Sequence, residues 1–296
     1  MFDAVANYLP ELYDRQFIID ICRNTLSDGV LLLVRYDEIY LGMRMFNTDG
    51  TEAEMCGNGI RLVARLADER YLHSERFTLY SGNKPYLIRR QAAMSPNVVT
   101  YSVDITMSLY SPDFDCSCQN ILVGKVIAKL DSDLRFTYLN LGNPHLVAQC
   151  DDIDLDRLTQ LGEKMKCGAM RNSLPSGCNI SLYKVLSPNR IFVATYERGV
   201  GLTASCGTAM TASCSAAVFL GLCRIGENID VHNRGGMVRC RTTVDPIISA
   251  RLSGNASYIA YGKLNTAGKI LTYQECDDEQ EAWQDFLHEL KDLEDC

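Results

Sequence analysis

Apolar residues along this chain fall into short runs of strand length, separated by stretches in which they return at helical spacing. The first such stretch, 10–23, opens on Pro10 and carries Leu12, Phe17, Ile18, Ile19 and Cys22 on one side, so a helix is predicted there. After a turn at Asp28-Gly29, strands are expected over 30–34 and 41–46, with a second turn at Asp49-Gly50. A helix over 60–71 follows: Ile60, Val63, Ala64 and Ala67 form its apolar stripe, and Arg61, Arg65 and Glu69 fall outside it, which predicts a half-buried helix. Strands at 76–80, 86–90 and 99–107 complete the first half. Residues 108–120 turn to loop composition and read as a crossover.

The second half repeats the plan. Strands are predicted at 121–129 and 135–141, with a short one holding Val147 and Ala148, then a helix at 154–166 and strands at 180–186 and 190–196. The helix at 207–220 is apolar or small on every side, the mark of a buried helix. Strands at 229–233, 237–242, 247–252 and 256–264 follow. Trp283, Phe286, Leu287, Leu290 and Leu293 then recur at helical spacing among acidic residues, predicting an acidic amphipathic helix over 275–296, docked on its own domain. Two halves with one order of elements imply an α+β fold of two pseudo-symmetric domains. Each is a mainly antiparallel sheet wrapped round a central helix, with the active site in the cleft between them.

The halves match most closely around two cysteines. Asn47 and Glu197 each end a strand-like run, and nine residues later come Cys56-Gly57-Asn58 and Cys206-Gly207-Thr208, each opening a helix. A cysteine at a helix N-terminus meets unpaired N–H groups and partial positive charge, which should lower its thiol pKa. The same N–H groups can hold a carboxylate. Two such sites could grip one carboxylate, with one thiolate removing the α-proton and the other thiol returning a proton to the opposite face. Most free cysteines are only small buried hydrophobes, and Cys214 is read that way. The repeated context sets Cys56 and Cys206 apart.

Bulk properties narrow the class. The 296 residues are 47% hydrophobic and 22% charged, ordinary for a soluble globular protein. A net charge of −8 without a basic stripe argues against nucleic-acid binding. No apolar run is long enough to predict a membrane span, and the opening Met1-Phe2-Asp3 stretch has no signal-peptide pattern. Thirteen cysteines without framework spacing point to free thiols in the cytoplasm. Cys116-Ser117-Cys118 has no evident partners, so no metal site is expected.

At the two cysteines the chain resembles a known family. Met55-Cys-Gly-Asn-Gly-Ile-Arg61 and the stretch Glu197-Arg198 through Cys206-Gly207-Thr208 are similar to the two signatures of the diaminopimelate epimerases. The resemblance implies conversion of LL- to meso-diaminopimelate without a cofactor, in lysine and peptidoglycan-precursor synthesis. The expected catalytic set is Cys56, Cys206, His145 and Glu197. Gly57, Asn58, Gly207 and Thr208 would hold the α-carboxylate by their amides. Arg198 would take a second carboxylate, and Glu197 would face an ammonium group or a thiol. By resemblance Asn47, Asn143 and Asn179 contact the substrate. The resemblance also sends the strand near 255–264 back to the first domain. That gives domains of 1–107 plus 255–264 and of 108–254, with 265–296 as an acidic helical tail. A homodimer is the expected assembly.

Two departures from the family pattern stand out. Its opening strand and Gly-Asn-Asp-Phe loop are missing, which should leave a sheet edge unpaired, and two glycines of a family segment are replaced within Asn24–Gly29. Three alternatives stay open: a racemase or epimerase of a proline- or hydroxyproline-type substrate, which would leave Arg198 without a partner; a catalytically impaired binding paralogue; and a thiol hydrolase using Cys206 with His145.

Overall fold

The computed structural model describes residues 1–6, 10–53, 55–109 and 121–291. The chain forms two compact units, one from Met1–Val103 with Ser253–Glu289 and one whose body is Asp104–Leu252.

In the first unit the order is β1 (Phe2–Asp3), α1 (Arg15–Thr25), β2 (Gly29–Arg35), β3 (Leu41–Asn47), β4 (Glu52–Ala53), α2 (Gly57–Ala67), β5 (Arg76–Ser81), β6 (Lys84–Gln91) and β7 (Thr100–Thr106). The strands lie as β1-β2-β3-β5-β6-β7, with β4 folded back on β3. The β2–β3, β5–β6 and β6–β7 pairs are antiparallel, and β1–β2 and β3–β5 are parallel. Ile18, Ile21 and Cys22 of α1 pack with Val30, Leu32 and Phe46 of the sheet.

Several expectations are corrected here. The helix predicted from Pro10 is broken, because Asp14 adopts an extended conformation and its carboxylate caps Phe17 N at 2.8 Å. A short 3₁₀ turn, Pro10–Tyr13, precedes α1. The sheet edge expected to be bare is covered by β1, which pairs Phe2 with Leu32 and Asp3 with Leu33. α2 is not half buried: Arg61 and Arg65, placed outside its apolar stripe, are 2% and 7% exposed.

The second unit runs β8 (Lys125–Ile127), β9 (Asp131–Asn140), β10 (Pro144–Gln149), α3 (Leu155–Lys164), α4 (Gly168–Ser173), β11 (Asn179–Ser187), β12 (Arg190–Glu197), β13 (Gly201–Thr203), α5 (Gly207–Phe219), β14 (Ile229–Asn233), β15 (Gly236–Thr243) and β16 (Ser249–Asn255). Its strands are ordered β16-β15-β14-β12-β11-β10-β9-β8, with β13 on β12. Side chains alternate across the sheet. Leu146, Ala148, Ile180, Leu182 and Tyr196 join Leu158 and Leu161 of α3 in one core. His145, Asn179, Ser181 and Thr195 point to the other face, the one α5 covers through Asn143 and Thr208. Along α5 from Gly207 to Val218 every side chain is buried. Its alanines let the strands come close, and its hydroxyls are satisfied locally: Thr211 donates to Gly207 O at 2.8 Å and Ser215 to Thr211 O at 2.9 Å.

The chain re-enters the first unit within β16 and adds β17 (Ala260–Leu264), β18 (Ile270–Glu275) and α6 (Asp277–Lys291). Residues 265–275, expected to belong to a helical tail, instead turn and pair β18 with β17. The acidic helix begins at Asp277 and buries Phe286. The crossover expected at 108–120, from residue 110 on, the Cys116-Ser117-Cys118 motif and the last five residues lie outside the described residues. Among the described residues no helix is long and apolar enough to cross a membrane.

Candidate active site

The two cysteine junctions share one backbone design. β3 ends at Asn47, the chain turns through Gly50 at φ +76°, and β4 runs back along β3. β12 ends at Glu197, the chain turns through Gly199 at φ +84°, and β13 runs back along β12. Both turns need a positive φ, which glycine supplies without strain. Each return strand delivers a cysteine to the N-cap of a helix, Cys56 at φ −137°, ψ 118° and Cys206 at φ −138°, ψ 103°. An N-cap side chain turns toward the first free amides of its helix. Cys56 Sγ accepts from Gly59 N at 3.4 Å. Cys206 Sγ lies 3.5 Å from Thr208 Oγ1. No disulfide links the cysteines among the described residues.

The expectation of a lowered thiol pKa is corrected for Cys206. Burial removes the water that would stabilise a thiolate, and the Glu197 carboxylate, hydrogen-bonded to the thiol, repels negative charge there. Both push the thiol pKa up and outweigh the helix end. Both favour the thiol over the thiolate at Cys206.

Around Cys206 the second unit builds a polar chain. His145 Nε2 meets Asn143 Oδ1 at 3.0 Å, Asn143 Nδ2 donates to Thr208 Oγ1 at 3.3 Å, and Thr208 in turn meets Cys206. With its amide donating to Thr208, Asn143 presents its oxygen to the histidine, so His145 carries its proton on Nε2. The ring is fully buried, its Nδ1 has no partner among the described residues, and burial together with the nearby Arg198 charge pushes its pKa down to about 3. His145 is a neutral prop for Asn143, not a group that titrates near neutrality.

Asn179 Oδ1 accepts from Arg198 N at 2.9 Å, and Arg198 Nη1 donates to Ser176 O at 2.6 Å. A cleft of about 310 Å³ opens beside this side chain, lined also by Lys166, Arg171, Gly177 and Tyr196. Asn47 holds its own turn, its Nδ2 donating to Thr51 Oγ1 at 3.0 Å. The second unit thus brings His145, Asn143, Thr208, Cys206 and Glu197 together, with Asn179 fixing Arg198. In the first unit Asn47, Cys56, Gly57 and Asn58 share one junction.

A curated diaminopimelate epimerase from Clostridium acetobutylicum is 35% identical to this chain over 242 residues, covering 80% of it and 72% of the relative. The chain belongs to the diaminopimelate epimerase family. A diaminopimelate epimerase from Listeria monocytogenes is 31% identical over 309 aligned residues, 99% of this chain and 93% of that protein. The family's diaminopimelate epimerase profile matches residues 137–258. Among solved structures, a Bacillus anthracis phenazine biosynthesis protein of the PhzF family aligns with a TM-score of 0.61 at 15% identity over 86% of this chain and 88% of its own. A probable proline racemase from Agrobacterium radiobacter aligns at 0.55 and 12% over 91% and 87%. At these identities the likeness is one of fold.

Sequence reasoning passed over one residue of the diaminopimelate epimerase signature. Arg61 sits five residues after Cys56 and reaches back to the first turn of α2. Its position inside the signature was the available signal, and counting arginine as a surface residue hid it.

Proposed function

We propose that this protein epimerises LL-diaminopimelate to meso-diaminopimelate by a thiol and thiolate pair, Cys56 and Cys206, as a cytoplasmic enzyme of amino-acid synthesis. The observation that carries this reading is the repeated junction, two cysteines at helix N-caps with the same backbone conformation. The amides of Gly57, Asn58, Gly207 and Thr208 hold the α-carboxylate and stabilise the negative charge that develops when the α-proton leaves. One sulfur removes that proton, and the other delivers a proton to the opposite side of the carbon. The roles exchange with the direction of reaction.

Glu197 helps set the resting state of the second sulfur. Burial is the larger cause that keeps Cys206 protonated, and the Glu197 charge adds to it until the substrate ammonium group neutralises the carboxylate, which makes the thiol easier to ionise. Arg198, held through its backbone by Asn179, takes the distal carboxylate and favours a substrate with two carboxylates over a proline-type one.

The test is proton NMR of LL-diaminopimelate with reduced protein in D₂O. Loss of the α-proton signal with appearance of the meso form is expected, and proline treated in parallel should show no exchange. Cys56→Ser and Cys206→Ser should each lower turnover ~10²–10⁴-fold, the usual reach of an acid or base. Absence of exchange at high protein concentration would sink the reading. Exchange that survives Cys56→Ser at the wild-type rate would overturn the two-sulfur reading.

A further inference from the structure

Two arginines one turn apart, Arg61 and Arg65, reach from α2 to the backbone where the chain re-enters the first unit. Arg61 Nε donates to Asn255 O at 3.2 Å and Arg65 Nη1 to Ala256 O at 2.8 Å. Their other contacts divide the helix between them. Arg65 serves its rear, pairing with Glu69 at 2.7 Å and Glu279 at 2.6 Å. Arg61 serves its front: Nη1 donates to Gly57 O at 2.9 Å and Nη2 to Asn58 Oδ1 at 3.1 Å. Gly57 and Asn58 are the two residues directly after Cys56.

The space for Arg61 is also specified. A β-carbon on Gly254 would stand 2.8 Å from both Cζ and Nη2 of the guanidinium, closer than such atoms approach. The corresponding residue of α5, five after its cysteine, is Thr211, which bonds Gly207 O at 2.8 Å with a neutral hydroxyl. Both helices therefore hold the carbonyl after the cysteine from the same position. In α2 the group that does so is a cation that also ties the first turn to the strand beside it.

We propose that Arg61 is a positioning residue for the Cys56 half of the site: it fixes the first turn of α2, and with it the sulfur and the Gly57 and Asn58 amides, against the Gly254-Asn255 backbone. The proposal rests on the epimerase reading for its kinetic consequences but not for its structural one. Arg61 bonds the Gly57 carbonyl and the Asn58 side chain, next to the reacting sulfur. It removes slack from groups that must be placed to within a fraction of an ångström, where a displacement of about 1 Å can cost ~10²-fold in rate.

The experiment compares wild type with Arg61→Lys, Gly254→Ala and Arg65→Lys. Circular dichroism and thermal unfolding identify folded variants, kcat and KM are measured on LL-diaminopimelate, and alkylation of Cys56 by iodoacetamide at fixed pH is followed by peptide mass spectrometry. Arg61→Lys keeps the charge but has one nitrogen where the guanidinium reaches three acceptors with three, so kcat should fall ~10–10²-fold. KM should rise by a smaller factor than kcat falls, since the Arg198 contact to the distal carboxylate is untouched. Gly254→Ala, which leaves Arg61 in the chain but displaces it, should give the same split. Both should change the Cys56 alkylation rate several-fold, and Arg65→Lys should lower thermal stability without moving that rate. Folded Arg61→Lys and Gly254→Ala proteins with wild-type kcat and Cys56 reactivity would overturn the proposal, as would Arg65→Lys matching their effects. If wild type itself is inactive on diaminopimelate, the epimerase reading fails while the alkylation comparison still decides the role of Arg61.

Discussion

His145 shows how burial can reverse the role expected of a residue type. An exposed imidazole takes up a proton near pH 6.5. This one, sealed under the sheet with Arg198 nearby, stays neutral down to about pH 3. In the unfolded chain it would protonate at its ordinary pKa. Between those values the unfolded state therefore binds the extra proton, and stability rises with pH through the window and is lost as pH falls. Urea unfolding at pH 7 and pH 5 should show a loss to which this group contributes about 1.4 kcal/mol per pH unit below 6.5. His145→Asn should lower stability at pH 7 and flatten the dependence. An unchanged slope would mean that other groups carry it. For the same reason a pH–rate profile should show no limb belonging to His145.

At the scale of elements, the strands and both cysteine helices were legible because apolar alternation and turn residues agree along the chain: Asp28-Gly29 and Asp49-Gly50 bracket β2 and β3, and the small apolar run after Cys206 is as buried as its composition implies. The misreadings have physical reasons. Asp14 interrupts the first helix because a carboxylate about one turn into an apolar pattern can serve as a cap. α4 is too short to show a period, and β18 is exposed along its whole length, so neither carries an alternating signal. Arg61 and Arg65 break the amphipathic rule because their donors find carbonyls and carboxylates inside the fold. Of the candidate site, the cysteine junctions were readable from their repeat. The Asn143–Thr208 contact was not, since it joins residues 65 apart in sequence across a sheet and a helix.

Element packing also sets a test. α3 crosses β12 at Gly162, where an added methyl would fall within the Tyr196 ring. That tyrosine hydroxyl is bonded to Glu163 and Lys166 Nζ, so the ring has little freedom to yield. Gly162→Ala should destabilise the protein by about 1–3 kcal/mol through overpacking despite the better helix propensity of alanine. A midpoint in urea equal to or above that of wild type would show that the ring moves aside.

Over the whole molecule, each of two compact units carries one of the matched cysteine junctions, and the first is closed by residues from the end of the chain. Glu279 is the tie. It accepts two bonds from Arg65, at 2.6 and 2.7 Å, and one from Tyr258 N at 2.9 Å, while the Arg65 guanidinium lies 3.8 Å from the Tyr258 ring centroid. Glu279→Ala should cost about 1–3 kcal/mol, because it leaves a buried guanidinium short of a partner. Calorimetry should register the loss in the melting of the first unit and spare the second. The Arg65 bonds hold the Glu279 carboxyl below the ordinary carboxylate range despite burial. Its contribution is thus present above the unfolded carboxylate pKa and fades as pH falls through the folded one. The difference between wild type and Glu279→Ala should shrink in acid.

The body of the second unit, Asp104–Leu252, lies between the two segments, Met1–Val103 and Ser253–Glu289, that make up the first. Synthesis runs from the N-terminus, and domains fold as units as they emerge. On the ribosome the body of the second unit has emerged once Leu252 is out, while the segment bearing Cys56 still waits for Asn255, Ala256 and Glu279. The first turn of the Cys56 helix is therefore tied down only after the body of the second unit has been made, and a nascent chain stalled before Glu279 carries an Arg65 that has yet to meet that carboxylate.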